Sequence, residues 1–244
     1  WSNHDEIHGC AGDELIGETS MLGTEEGSRT PEWWKKLVGK SPSDSIEVAI
    51  DEWDREPINA LLPRFVEVLR TRGVDATPAR VCSEIYCGVA LIYEVSYPEG
   101  DNRYLCAPCP APRLTSAARK LPDAFRLFYQ QMHAGMYFKL NVEFGMIQPS
   151  SIRSWADCLE LIGEDRHAPE FLTTPPPIDT DELFTVYDGN SSNFILASSD
   201  PNDTTVWATE SFLLYERKQL QSPWQLIDDW ITRNLTPLSM QDFS

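Results

Sequence analysis

Between residues 121 and 146 the spacing of apolar side chains switches from one secondary-structure period to another. Phe125, Phe128, Tyr129 and Met132 recur at i, i+3, i+4 and i+7, which is one face of an α-helix. Leu121-Pro122 opens that helix and Gly135 reads as its stop. Phe138, Leu140, Val142, Phe144 and Met146 then alternate with Lys139, Asn141 and Glu143. A period of two describes a strand with one buried and one wet face. Neither element can bury its apolar side alone, so the pair demands helices layered on a sheet.

The C-terminal part extends this plan. Ser150 or Ser151 can cap a helix that buries Ile152, Trp155, Leu159 and Ile162 and stops at Gly163. Residues 164–182 read as a loop carrying Pro175-Pro176-Pro177. Strands are expected at Leu183–Tyr187, Phe194–Ala197 and Thr204–Thr209, with Phe212–Tyr215 either a fourth strand or a helical turn. The turns Asp188-Gly189-Asn190 and 199–203 are short and polar, so these strands form an antiparallel meander. Ser222-Pro223-Trp224-Gln225 has the form of a capping box with proline at the first helical position. It starts a last helix burying Leu226, Ile227, Trp230 and Ile231. The class is α+β, an antiparallel or mixed sheet meander flanked by helices, with an N-terminal helical and hairpin extension.

Three regions are expected. Residues 1–44, rich in Gly, Glu, Ser and Thr, form an irregular N-terminal extension anchored by Trp33 and Trp34. Residues 45–112 form a helical and β-hairpin region. A helix near Ser45 buries Ile46, Ala49, Ile50 and Trp53, and a second from about Pro63 to Gly73 buries Phe65, Val66 and Leu69. Thr77-Pro78 suggests a short third helix. Val89, Leu91, Tyr93, Val95 and Tyr97 alternate as a strand, with Arg103–Cys106 as its return after the turn at 98–102. Residues 113–244 form the α+β domain.

Charge narrows the function classes. The 38 acidic and 20 basic residues give a formal net charge of −18, which opposes nucleic-acid binding and suits a basic partner. No Lys or Arg occurs between Arg166 and Arg217, so this stretch projects negative potential. Its carboxylates Asp179, Asp181, Glu182, Asp188, Asp200, Asp203 and Glu210 are the candidate partner-binding residues. No run reaches the ~18 apolar residues of a membrane span. The opening residue, Trp1, leaves a preceding leader segment open.

The motifs with chemical potential are weak. Cys106 and Cys109 form a Cys-x-x-Cys pair, but Pro110 and Pro112 deny it the helix N-terminus that activates a redox thiol. A zinc site would need Cys82 and Cys87, whose Cys-x4-Cys spacing is loose. The six cysteines are too sparse for a disulfide scaffold and read as buried thiols in a reducing cytosol. His4, Glu6 and His8 with Cys10 do not reproduce the His-Glu-x-x-His order of zinc proteases. His133 is expected at a helix end, aiding the last carbonyls. Asp228 and Asp229 are adjacent, diverge on a helix and read as solvated surface. No catalytic residue, metal or cofactor is expected.

The C-terminal elements resemble the SUKH superfamily over about residues 114–235. The resemblance is carried by the helix opening 121–129 (LPDAFRLFY), by His133-Ala134-Gly135, by the strand and turn 183–190 (LFTVYDGN), and by the last helix 224–231 (WQLIDDWI). It departs from the family at Ala134-Gly135, where members often have Asn-Gly, and at Asn193-Phe194-Ile195-Leu196, which lacks the usual acidic residue after it. The resemblance implies a cytoplasmic, non-enzymatic immunity protein. Such a protein binds a cognate secreted toxin, often a nuclease delivered by contact-dependent or type VI secretion, and occludes its active site. The alternative that the same resemblance implies is a regulatory or scaffold SUKH protein binding cellular proteins.

Overall fold

The computed structural model describes residues 14–15, 30–82, 86–98, 100, 102–139, 144–164, 179–189, 193–203, 205–210, 213–217 and 220–236. Among them one sheet runs through ten strands in chain order. These are β1 Glu14–Leu15, β2 Gly73–Cys82, β3 Cys87–Val95, β4 Arg103–Pro108, β5 Met136–Lys139, β6 Phe144–Met146, β7 Leu183–Asp188, β8 Phe194–Ser198, β9 Trp207–Glu210 and β10 Leu213–Glu216. Every neighbouring pair is antiparallel. Antiparallel neighbours need no crossover, so helices are inserted as excursions from the meander. The chain thus has the expected α+β class. The stretch left open as strand or helical turn is the strand β10.

Six α-helices are described: α1 Glu32–Lys35, α2 Pro42–Trp53, α3 Pro63–Arg72, α4 Asp123–Gln131, α5 Trp155–Glu164 and α6 Pro223–Leu235. The apolar stripes of α2, α3, α4 and α6 share one core with Leu91, Tyr93, Leu105, Phe184 and Ile195 of the sheet. Phe125 of α4 stacks on Trp224 of α6 with ring centroids 4.4 Å apart. Helix α5 covers the other face, where Trp155 packs with Leu183, Leu196 and Trp207. Leu183 and Phe184 are sequence neighbours in different clusters, as alternation along a strand requires. Sheet and main core pass across residue 112 without a break, since Cys106 of β4 lies opposite Tyr137 of β5. Trp33 and Trp34 are buried in this core, as their anchoring role requires.

Several local expectations change. The expected single strand from Phe138 to Met146 is a hairpin, with Met136 opposite Met146. Both faces are covered there, since Tyr137 is as buried as Met136. Gly145, opposite Tyr137, lets the two strands approach closely: its φ is +143°, and a Cβ would lie 1.9 Å from the Met136 carbonyl oxygen. Gly135 is not the helix stop, because α4 ends at Gln131. Thr77-Pro78 lies inside β2 with Pro78 opposite Leu91. The Asp75 carboxylate accepts from the Ala76 N–H and from the Ser45 and Thr77 hydroxyls, so the Thr77 hydroxyl is engaged as a donor there. Ser154, not Ser150 or Ser151, caps α5: its Oγ accepts from Asp157 N at 3.1 Å, while the Asp157 carboxylate accepts from Ser154 N at 3.3 Å. Leu140, Asn141, Val142, Glu143, the Pro175-Pro176-Pro177 loop and the His4/Glu6/His8/Cys10 group lie outside the described residues.

Two polar side chains are far more deeply placed than their surroundings in the sequence suggest. Asp228 is 3% exposed. It accepts from Arg64 N at 2.8 Å and Phe65 N at 2.9 Å, so α6 supplies the N-terminal cap that α3 lacks locally. Burial is the largest influence on its carboxyl and pushes it up to about 6, against the pull of those two N–H donors. Asp229 stays nearer the surface and pairs with Arg64 and Arg233. His133 is fully buried rather than resting on helix carbonyls. Its ring lies 5.7–6.0 Å from the rings of Trp33, Trp34, Trp53, Tyr93 and Phe128. Trp53 Nε1 donates to Tyr93 Oη at 2.9 Å, and the Tyr93 hydroxyl and His133 Nε2 share a further hydrogen bond, also at 2.9 Å. Burial lowers the His133 imidazolium to about 3, so the ring is neutral.

Candidate partner-binding face

Strands β7 and β8 are antiparallel with Leu183 opposite Ser198. The turn that enters β7 and the turn that leaves β8 therefore lie at the same end of the sheet. On entry, Asp179 caps the 3₁₀ turn Thr180–Glu182, its carboxylate accepting from Asp181 N at 3.0 Å. On exit, Asp200 Oδ1 accepts from Asn202 N at 2.8 Å, and Asp203 Oδ1 from Thr205 N at 2.9 Å. Short acidic side chains hold turns in this way. Ser199 ties the two turns together. Its N–H donates to the Glu182 carbonyl at 2.8 Å and its hydroxyl to the Glu182 carboxylate.

Five of the seven candidate carboxylates gather here. Asp179, Asp181, Glu182 and Asp200 are exposed and Asp203 is half-buried. Partial burial works to raise the Asp203 carboxyl, yet hydrogen bonds from Thr205 and Ser198 outweigh it and hold the group below its ordinary range. Asp203 is therefore a firm negative charge at neutral pH. The other two candidates are elsewhere. Asp188 faces Phe194 at the start of β8, and Glu210 faces Leu213 at the end of β9. The six residues of β7 put about 17 Å between the two ends.

Helix α5 extends the acidic end, packing against the 3₁₀ turn. Asp157, Glu160 and Leu161 are exposed on it. Leu161 is 51% exposed, the one exposed large hydrophobic side chain among the described residues. None of the three was among the expected binding residues. The signal was present: Leu161 stands off the stripe of Trp155, Leu159 and Ile162, so helical spacing places it away from the sheet.

The cysteines offer no reactive centre on this face. Burial raises the half-buried Cys158 thiol to about 11, although Arg153 opposes the shift, so it stays protonated at neutral pH. Cys106 packs with Val81, Ala90 and Tyr137, while Cys109 packs against the main core on the opposite face of the sheet. The Cys-x-x-Cys pair is thus divided by the sheet. Among the described residues no group of three or more His, Cys, Asp or Glu is placed to hold a metal ion. No described helix is long and apolar enough to cross a membrane.

No known protein family, curated protein or solved structure matches this chain.

Proposed function

We propose that this chain is an immunity protein that binds a basic secreted toxin, of nuclease type, and occludes its active site. The observation that carries the reading is the gathering of Asp179, Asp181, Glu182, Asp200 and Asp203 at one sheet end, with Leu161 exposed on the adjoining helix. A ring of carboxylates steers a cationic partner and sets its orientation, and a neighbouring apolar side chain supplies contact area that charge alone does not. The net charge of −18 adds long-range attraction in the same sense. The SUKH resemblance belongs to this proposal. It rests on the sequence motifs at 121–129, 133–135, 183–190 and 224–231 and on the order helix, strand, helix, meander and helix read from the sequence. The cytoplasm is where such a protein meets an incoming effector.

Co-expression tests it. Cells carrying the candidate toxin survive with this chain and die with the variant D179A/D181A/E182A/D203A, if both chains accumulate equally. Equal survival with the variant would remove the acidic end from the mechanism. Stable association with resident cellular proteins, without toxin protection, would favour the regulatory or scaffold reading.

A further inference from the structure

The β2–β3 hairpin ends on two cysteines that lie directly opposite each other, Cys82 and Cys87. Directly opposed residues of an antiparallel pair have Cα atoms about 4.5 or 5.5 Å apart, depending on the hydrogen-bonding position. Both separations fall within the roughly 4.4–6.8 Å that a disulfide spans. Opposed side chains also leave the sheet on the same face. Cys82 and Cys87 are exposed, whereas Cys106 is buried and Cys109 and Cys158 are half-buried. Register and access together single out this pair among the described cysteines.

We propose that Cys82 and Cys87 form a reversible disulfide, making the hairpin tip a redox-responsive modification site whose oxidant is a small-molecule disulfide. One cysteine thiolate attacks the oxidant, forming a mixed disulfide and releasing one small thiol. The opposed thiolate then attacks the protein sulfur of that mixed disulfide. The Cys82–Cys87 bond forms and the second small thiol leaves. Two protein thiols lose their protons and two electrons pass to the oxidant, which ends as two thiols. The link joins β2 to β3 at the end of their hairpin, two residues beyond Arg80, on which β1 pairs.

Tryptic digestion isolates the pair, because no Lys or Arg lies between Arg80 and Arg103 and residues 81–103 hold no other cysteine. The full chain is incubated with oxidised glutathione, alkylated and digested. The expected peptide is lighter than its reduced form by two hydrogens, carries no alkyl group and gains two after reduction. In C82S and in C87S the remaining thiol stops at the glutathione adduct. The proposal is overturned if the wild-type peptide keeps two alkylatable thiols, or ends with a glutathione adduct on each cysteine. It is equally overturned if Cys82 or Cys87 pairs instead with Cys106 or Cys109.

Discussion

Asp228 and Asp203 both accept backbone N–H groups, yet they do opposite things. Asp228, on the buried face of α6, has two donors from a helix 163 and 164 residues away in the chain, and burial raises its carboxyl to about 6. Asp203 takes its donor from Thr205, two residues on, and its carboxyl is held below the ordinary range. The difference is solvent. Where water is excluded, the charged form is penalised and the carboxylate serves as an acceptor that completes a helix end. Where water remains, hydrogen bonds win and the carboxylate supplies charge to the surface. An acidic composition therefore serves two purposes in this chain, and only the second concerns a partner.

The buried side of this comparison breaks most easily through its aromatic layer. Trp34→Ala removes a fully buried indole beside His133 and is expected to cost about 3–5 kcal/mol, measured by chemical denaturation. Asp228→Ala comes next. It leaves Arg64 N and Phe65 N without acceptors and is expected to cost about 2 kcal/mol, lowering Tm by roughly 4–8 °C for a chain of this size.

A pH series sharpens the contrast further. The folded carboxyl of Asp228 titrates near 6, above the ~3.9 of an unfolded aspartate. Between about pH 4 and pH 6 the native state thus binds the proton that the unfolded state has lost, so this contribution to stability falls as pH rises. His133, lowered to about 3, acts in the opposite sense, since its contribution is lost as pH falls from its ordinary value of ~6.5. Subtracting Asp228→Asn from wild type isolates the aspartate. The difference in unfolding free energy should fall by on the order of 2 kcal/mol from pH 4 to pH 6 and then level off. A difference that rises with pH would mean that the α3 N-terminus holds Asp228 ionised.

The smallest effect belongs to the exposed side. Asp179→Ala and Asp181→Ala each alter stability by no more than about 0.5 kcal/mol, because both side chains are exposed and held by turn contacts alone. A larger loss would make the acidic end part of the scaffold.

Periodicity made most of the helices and the meander legible. The stripes of α2, α3, α4 and α6 and the alternation of β3 follow directly from residue spacing. What escaped depends on partners distant in the chain. Asp228 looks like one of two surface acids until α3 is known to end against it. His133 looks like a helix-end residue until Trp33, Trp34, Trp53 and Tyr93 are brought around it. Thr77-Pro78 has the local form of a helix start, but pairing with β3 overrides it. The 138–146 alternation hid a change of direction, since Met146 pairs back on Met136 and Gly145 on Tyr137. The candidate acids were visible as a one-sign run, but their division into five and two follows from the register of Leu183 against Ser198.

The central claim is that the acidic end, not the fold at large, recognises a basic partner. The direct measurement is the affinity of wild type and of D179A/D181A/E182A/D203A for the toxin identified by co-expression, at low and at high salt, with Tm recorded for both. The account predicts at least a hundredfold weaker binding by the variant at low salt, a smaller salt dependence and a Tm that is lowered but stays well above the assay temperature. Equal affinity and equal salt dependence of the two proteins would contradict it.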